Sequence, residues 1–459
     1  MTASAIAEFN WEPQPAAQEL LTEIVTEFFA RCKAARTLGD KMRIDTGTRF
    51  MDWLDFIQLP RSQDIRDRLT KVGFTRKAVD GAPDCYVHEG AIFPMVILDA
   101  GKETAIGIKV DSVVEFLAAW QITDQVEIVG DPLTPMRRAC AFKEGDAELW
   151  VIERHGCRSF GPIESSAIDR VAIVRHREAF RRRTRDWDDN DVGFDHTQAL
   201  IRAAVEDLGE DVTCAIFFEA ERHYWMSKNR AARVQYSRQN AIGLGWANHD
   251  HHTYRSSRPA FIRLLQTLAM LGMQPRERFY AGHEAGWGAQ VLEQPVAGIT
   301  VFADVDLSAE ELATDFWTQA LPARTTPGSL GTVGMWVGLH GESALEAGMH
   351  HLECQFDHDA LVGQLQAASV MTMSPFTNFP FLKQAFTEGE RWNVAEKRIE
   401  RLLEKNLITQ QQANQFRMQG AIGSHLENLE RNDGYKGFNQ QGVSDIIERT
   451  SPMRQLVGA

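Results

Sequence analysis

The chain has no Cys-x-x-Cys pair. Its six cysteines, Cys32, Cys85, Cys140, Cys157, Cys214 and Cys354, are scattered, which excludes a zinc ribbon and a thioredoxin-type motif. Met1 to Pro13 has neither a basic start nor a long apolar core, so no secretion signal is read there. Scattered cysteines without such a signal point to a reducing cytoplasm. No apolar run is long enough to span a bilayer. Positive charge is in deficit, with 49 Lys and Arg against 63 Asp and Glu and a net charge of −14; a general nucleic-acid binder would need the opposite. The one basic run, Arg175 to Arg185, flows straight into Asp186, Asp188, Asp189 and Asp191 and reads as a solvated helix end or linker.

What remains is ordinary for a globular protein. The chain is 44% hydrophobic and 24% charged over 459 residues, a length that suggests two or three domains. Residues 15–40 carry an amphipathic helix pattern. Arg49–Phe56 alternates like a strand, Pro60–Val72 reads as a helix, and strands follow near Tyr86–His88, Phe93–Leu98 and Ala105–Val110, with Ala147–Glu153 closing the region. Residues 161–240 form a connector, read as a helix over Thr197–Leu208 and a strand near Val212–Phe218.

The second half repeats the same grammar. Ile242–Arg255 is a strand. Ser256 or Ser257 is placed to cap a helix with Pro259 in its first turn, and Phe261, Leu264, Leu265, Leu268 and Leu271 share one face of it before Gly272 ends it. Strands follow at Arg276–Tyr280, Gly288–Glu293 and Gly298–Val305. A further copy starts with the strand Met349–Phe356 and the helix Asp357–Ala368. It continues through a strand near Leu382–Phe386 and a polar helical insert, Ala395–Met418, to a last strand, Ala421–Glu430. A βαβββ unit thus recurs about three times, and a repeated unit outranks any single local reading. The expected fold class is α+β: repeated βαβββ modules forming curved open-barrel sheets, with helical insertions. The expected division is 1–160, one βαβββ-type module with a leading helix; 161–240, a connector; and 241–459, paired modules.

Three stretches carry candidate metal ligands: Asn248–Arg255, Met349–Glu353 and Ser424–Arg431. On a regular strand alternate residues share a face. His249, His251, Thr253 and Arg255 then lie together, opposite Asp250 and His252. His351, Glu353 and Gln355 lie together, opposite His350. His425, Glu427 and Leu429 form the third set. The preferred assignment is His251, His351 and Glu427, one from each of three strands, with His252 and His350 as alternatives within their doublets. Two histidines and a carboxylate hold Fe(II) on one face and leave the opposite positions open. His425 or His249 would orient a ligand or be a simple polar strand residue. Arg255, four residues after His251 on the same face, is a surface arginine at a strand end or a planar clamp for a substrate carboxylate.

These motifs resemble the vicinal-oxygen-chelate superfamily. His251-His252-Thr253-Tyr254-Arg255, with the helix ending Met270-Leu271-Gly272-Met273-Gln274-Pro275, is similar to the 2-oxoadipate dioxygenase/decarboxylase (hydroxyglutarate synthase) family, as is His351-Leu352. The run Leu426–Arg431 with Gly437-Phe438-Asn439 resembles the C-terminal end of 4-hydroxyphenylpyruvate dioxygenase. The likeness spans roughly residues 240–450. It departs from hydroxyglutarate synthases after His351, where Glu353 and Gln355 stand in place of an arginine. It implies Fe(II) bound by His251, His351 and Glu427, and a metal-free N-terminal module, since Arg49–Gln58 has no histidine. It also implies O2 and a small 2-oxo acid as partners, with loss of CO2 and hydroxylation. Arg255 would hold the far end of the substrate and Gln355 would add a hydrogen bond. Gly434–Phe438 and a helix over Val443–Arg449 would cover the pocket. Neither nucleic acid nor membrane is expected as a partner, and a homodimer fits the reading. Other members of the superfamily remain as readings: an extradiol ring-cleaving enzyme, an isomerase or lyase of glyoxalase type with His425 as fourth ligand, or a non-catalytic small-molecule binder.

Overall fold

The computed structural model describes residues 11–160, 170–322 and 330–439. Two helices, α1 (Pro15–Arg31) and α2 (Lys33–Lys41), precede β1 (Leu54–Pro60), α3 (Gln63–Lys71), β2 (Thr75–Val79), β3 (Ala82–Val87) and β4 (Met95–Asp99). A second copy follows: β5 (Thr104–Lys109), α4 (Val113–Ala119), β6 (Ile128–Val129), β7 (Met136–Glu144) and β8 (Ala147–Arg154). Their strands form one sheet in the order β2-β3-β4-β1-β5-β8-β7-β6. The first 160 residues therefore hold two βαβββ units, where one was expected. The second escaped because α4 has seven residues and β6 two, too short to show a period. Arg49–Phe56 also differs: Phe50–Trp53 is a 3-10 turn, closed by Asp52 accepting from the Arg49 backbone N–H at 2.8 Å, and the strand starts at Leu54.

A helical connector comes next: α5 (Arg170–Arg182), α6 (Asn190–Ser227) and α7 (Arg230–Asn240). The strand expected near Val212–Phe218 is helix. Cys214, Phe217, Phe218, Glu221 and Trp225 are among its buried residues, a helical spacing that a short apolar run hides. Gly209 (φ 77°) marks a kink within α6. The basic run is not wholly solvated. Arg183 and Arg185 are buried, and both donate to Glu221, at 2.9 and 2.5 Å. Burial opposes charge on Glu221, but the two guanidinium groups outweigh it and hold its carboxyl down at about 2.

The C-terminal half runs β9 (His249–Arg255), α8 (Phe261–Ala269), β10 (Gln274–Tyr280), β11 (Trp287–Gln294), β12 (Ile299–Asp306) and α9 (Thr332–His340). Then come β13 (His351–Gln355), α10 (His358–Ala367), β14 (Thr377–Phe379), β15 (Leu382–Phe386), β16 (Glu390–Trp392), α11 (Glu396–Glu404), α12 (Gln410–Gln419) and β17 (Ala421–Arg431). The sheet order is β10-β11-β12-β9-β13-β17-β15-β14, with β16 added beside β17. The two units of this sheet meet where β9 and β13 pair antiparallel. Helix α8 buries the expected Phe261, Leu264, Leu265 and Leu268. The preceding serines do not cap it with their side chains; both hydroxyls donate to Glu342 instead, at 2.9 and 2.5 Å.

The largest core lies between the connector helices and this second sheet, with Phe217, Phe218, Trp225, Leu264, Leu352 and Leu426 fully buried. The corresponding inner face of the N-terminal sheet is filled. Phe56, Ile97, Ala105 and Ile152 pack with Phe160, Phe160 stands edge-on to Phe56 at 5.2 Å, and Arg154 lies over Phe160 while bonding Asp55. Glu153 accepts from the Val113 N–H at the start of α4 and meets His155 at 2.9 Å, a structural role. All six cysteines are unpaired, and no described helix is long and apolar enough to cross a membrane.

Candidate metal centre and substrate cavity

Three neighbouring strands bring the ligand candidates together. In the β13–β9 pairing Glu353 faces His251, and in the β13–β17 pairing Glu353 faces Glu427. His351 stands one step along. Ligand atoms of His251, His351 and Glu427 all lie within 4.8 Å of one another. His351 Nε2 is 2.9 Å from Glu427 Oε2, and the three residues are 7% exposed or less. Each histidine is placed by aromatic contacts: His251 against Phe302 (4.5 Å) and Phe438 (5.2 Å), His351 against Phe386 (5.1 Å).

The doublets are resolved differently. His252 is on the opposite face, 4.9 Å from the ring of Phe218 and 3.2 Å from Arg222 Nη1. His350 is not opposite His351. It lines the same cavity, and its Nδ1 is 2.8 Å from Nδ1 of His351, because regular strand alternation begins only at His351. A register shift between β9 and β13 puts His251 opposite Glu353 but His249 opposite Cys354. This bulge inserts Asp250 as an extra residue and re-aims both neighbours. His249 thus packs with His252 at 5.2 Å rather than with His251, and Asp250 turns to His251, with Oδ1 3.4 Å from Nδ1.

The cluster is rich in negative charge. Burial and the neighbouring Glu427 push Glu353 up to about 8, and burial raises Glu427. Burial and His251 push His351 well below the usual imidazole range. His251 goes the other way, up to about 10, because Glu353 and Asp250 outweigh its burial. Gln384 Nε2 donates to both Glu353 (3.3 Å) and Glu427 (3.2 Å). A divalent cation is the group that relieves such a set: buried carboxylates need a counter-charge, and imidazole with carboxylate suits Fe, Zn or Mn. A second group, Asp250, His251 and Glu353, also lies within 4.8 Å, but there a cation is already present. Arg431 Nε is 2.9 Å from Asp250, and Arg431 Nη2 is 3.9 Å from Glu353.

The ligand candidates open onto a cavity walled by Phe279, Trp287, Phe302, Phe376, Phe386 and Phe438, an aromatic lining suited to a small molecule. Arg255 and Asp304 lie on its wall, 7% and 2% exposed. Their nearest approach is 3.9 Å, from Arg255 Nε to Asp304 Oδ2, too long for a hydrogen bond. Arg255 Nε, Asp304 Oδ1 and Trp287 Nε1 are buried without a partner. Burial draws Arg255 down to about 10 against Asp304 and Asp306, and pushes Asp304 up to about 7 against Arg255 and His251.

Gln355 is not on this cavity. It donates to Asp250 at 3.0 Å and lines a second cavity between the two halves, with Arg49, Phe93 and Arg431. Since β9 and β13 run antiparallel, Gln355 sits at the end opposite Arg255, beyond Asp250 and Arg431. His425 is also outside the ligand group: its Nδ1 is 3.0 Å from the Thr387 carbonyl, and its ring stacks on Phe386. The segment after β17 carries Phe438 and Asn439 to the cavity wall; Val443–Arg449, expected as a covering helix, lies outside the described residues. Sequence reading missed Asp304, Gln384 and Arg431. For Arg431 a signal existed, four residues after Glu427 on a strand; for the others there was none.

No family model and no curated protein matches this chain. Among solved structures, a 4-hydroxymandelate synthase variant from Streptomyces coelicolor is similar at 12% identity over 87% of this chain and 98% of that one, with a TM-score of 0.28. Methylmalonyl-CoA epimerase from Mycobacterium tuberculosis is similar at 12% identity over 40% of this chain and 88% of that one, with a TM-score of 0.23. A xylose isomerase-like TIM barrel/4-hydroxyphenylpyruvate dioxygenase fusion protein is similar at 9% identity over 89% of this chain and 53% of that one, with a TM-score of 0.22. The architecture rests on the chain's own strand order: α+β, two open mixed sheets of paired βαβββ units with helical insertions.

Proposed function

We propose that this protein is a non-haem Fe(II)-dependent oxygenase that decarboxylates and hydroxylates a small 2-oxo acid. The observation that carries the reading is the meeting of His251, His351 and Glu427 within 4.8 Å at the floor of an aromatic cavity. When bound there, iron would supply a template for the 2-oxo acid and O2 and the electrons for oxygen activation. His251, His351 and Glu427 would hold it on one side. Gln384 ties Glu427 to Glu353 by donating to both. Arg255 would take the end of the substrate remote from the metal, since its guanidinium forms no hydrogen bond among the described residues. Phe302, Phe386 and Phe438 exclude water from the reacting end. The division into a metal-free half (1–160), a connector (161–240) and a metal-binding half (241–459) is part of the same reading, supported by the packed inner face of the first sheet.

A second reading is favoured by Glu353. It is fully buried opposite Glu427, where a fourth ligand would complete the coordination used by a metal-dependent isomerase or lyase. Metal content together with O2 uptake and CO2 release on a panel of 2-oxo acids decides between them. One metal per chain with coupled O2 uptake supports the oxygenase. Metal without O2 uptake favours the second reading, and no metal sinks both.

A further inference from the structure

Three residues that line the cavity each carry a buried polar atom without a partner: Asp304 Oδ1, an acceptor, and Arg255 Nε and Trp287 Nε1, both donors. Asp304 comes from β12, Arg255 from β9 and Trp287 from β11, adjacent strands in the sheet. Arg255 and Asp304 are buried and oppositely charged, yet their nearest approach is 3.9 Å. A buried pair normally closes into hydrogen bonds to recover its desolvation. Here the gap is held open: the Arg255 backbone N–H is fixed to Ser343 Oγ at 2.8 Å, and the guanidinium lies over Trp336 at 5.5 Å.

We propose that the far end of the substrate is an uncharged group that both donates and accepts hydrogen bonds, a hydroxyl or a carboxamide, read by Asp304, Arg255 and Trp287. This deepens the 2-oxo acid reading and rests on it. An alkyl end would leave all three atoms unpaired in the closed complex, a cost incurred at each atom. A second carboxylate would suit Arg255 but would face the Asp304 carboxylate across the same gap. Only a group with both a donor and an acceptor satisfies the set. The body of the molecule then packs on Phe279, Trp287 and Phe302, so the site selects an apolar chain or ring with polar ends.

The test is binding of four unbranched 2-oxo acids of equal length, ending in carboxamide, hydroxyl, carboxylate or methyl. It uses Fe(II)-loaded protein at pH 8 without oxygen and is read by calorimetry. The carboxamide or hydroxyl end is expected to bind at least about tenfold more tightly than the carboxylate and methyl ends, the scale on which sites built for a polar group reject its absence. Asp304→Asn is expected to relieve the penalty on the carboxylate, and Trp287→Phe to weaken the carboxamide and hydroxyl ends while leaving the methyl end unchanged. A wild-type preference for carboxylate, or no discrimination, overturns the inference whether or not either variant folds. Iron bound with none of the four acids binding overturns the 2-oxo acid reading along with it.

Discussion

Arg431 grips Asp250 with two nitrogens, Nε 2.9 Å from Oδ2 and Nη2 3.1 Å from Oδ1, and Asp250 faces Nδ1 of His251. The remaining nitrogen, Nη1, donates to the carbonyls of Tyr435 (3.1 Å) and Gly437 (2.7 Å), and the guanidinium lies over Phe438 at 4.6 Å. One side chain therefore orients a candidate ligand and seats the segment that closes the cavity.

Asp250→Asn should lower metal affinity roughly 10- to 100-fold, the usual cost of removing a partner that orients a ligating histidine. Titration of metal-free protein with Co(II) measures it. Hydrogen exchange in residues 432–438 should be unchanged in this variant and faster in Arg431→Met. Affinity within twofold of wild type would remove Asp250 from the positioning role.

His351→Ala should abolish stoichiometric metal uptake while the fold survives, because the imidazole lines the cavity rather than the packed core. His252→Phe, on the other face, should leave metal uptake intact. Elemental analysis of both variants checks this, and metal retained by the first would refute the ligand set.

Asp304 sets a pH dependence. Its folded value is raised from 3.8 to about 7, so folding favours its protonated form. Its contribution is then fully present below the unfolded value and is lost as pH rises through about 7. A tenfold change in proton affinity between the two states corresponds to about 1.4 kcal/mol. Asp304→Asn, which stays neutral, should gain stability over wild type as pH climbs from 4 to 8, on the order of a few kcal/mol. Denaturant melts of the metal-free pair measure the difference, and a gap independent of pH would contradict it.

Glu221→Gln should destabilise the protein by about 3–5 kcal/mol, since it strands two buried guanidinium groups. Thermal melts should show the loss with metal stoichiometry preserved.

The repeated βαβββ units, α8 and the three strands that carry the candidate ligands were readable because each rests on a long period or a repeat. Asp250 was misplaced by a single inserted residue in β9 that no alternation rule detects, and Gln355 by the antiparallel pairing of β9 with β13, which carries it to the end remote from Arg255. The second N-terminal unit was hidden by its brevity, and α6 by an apolar run that suits strand and helix alike. Asp304 was invisible because an acidic residue near the end of a strand looks solvent-facing until its neighbours are known. The polar ends of the cavity belong to pairing between distant strands, which spacing along the chain does not encode.

The antiparallel junction of β9 and β13 has an implication for assembly. His251 belongs to one βαβββ unit, and His351 and Glu427 to the other, so the candidate ligand set does not exist within either unit. Chain cut in the stretch between β12 and α9 would yield two pieces, neither able to capture the ion alone. Metal uptake would then act as a reporter of their reunion, and the ion as a rivet across the seam.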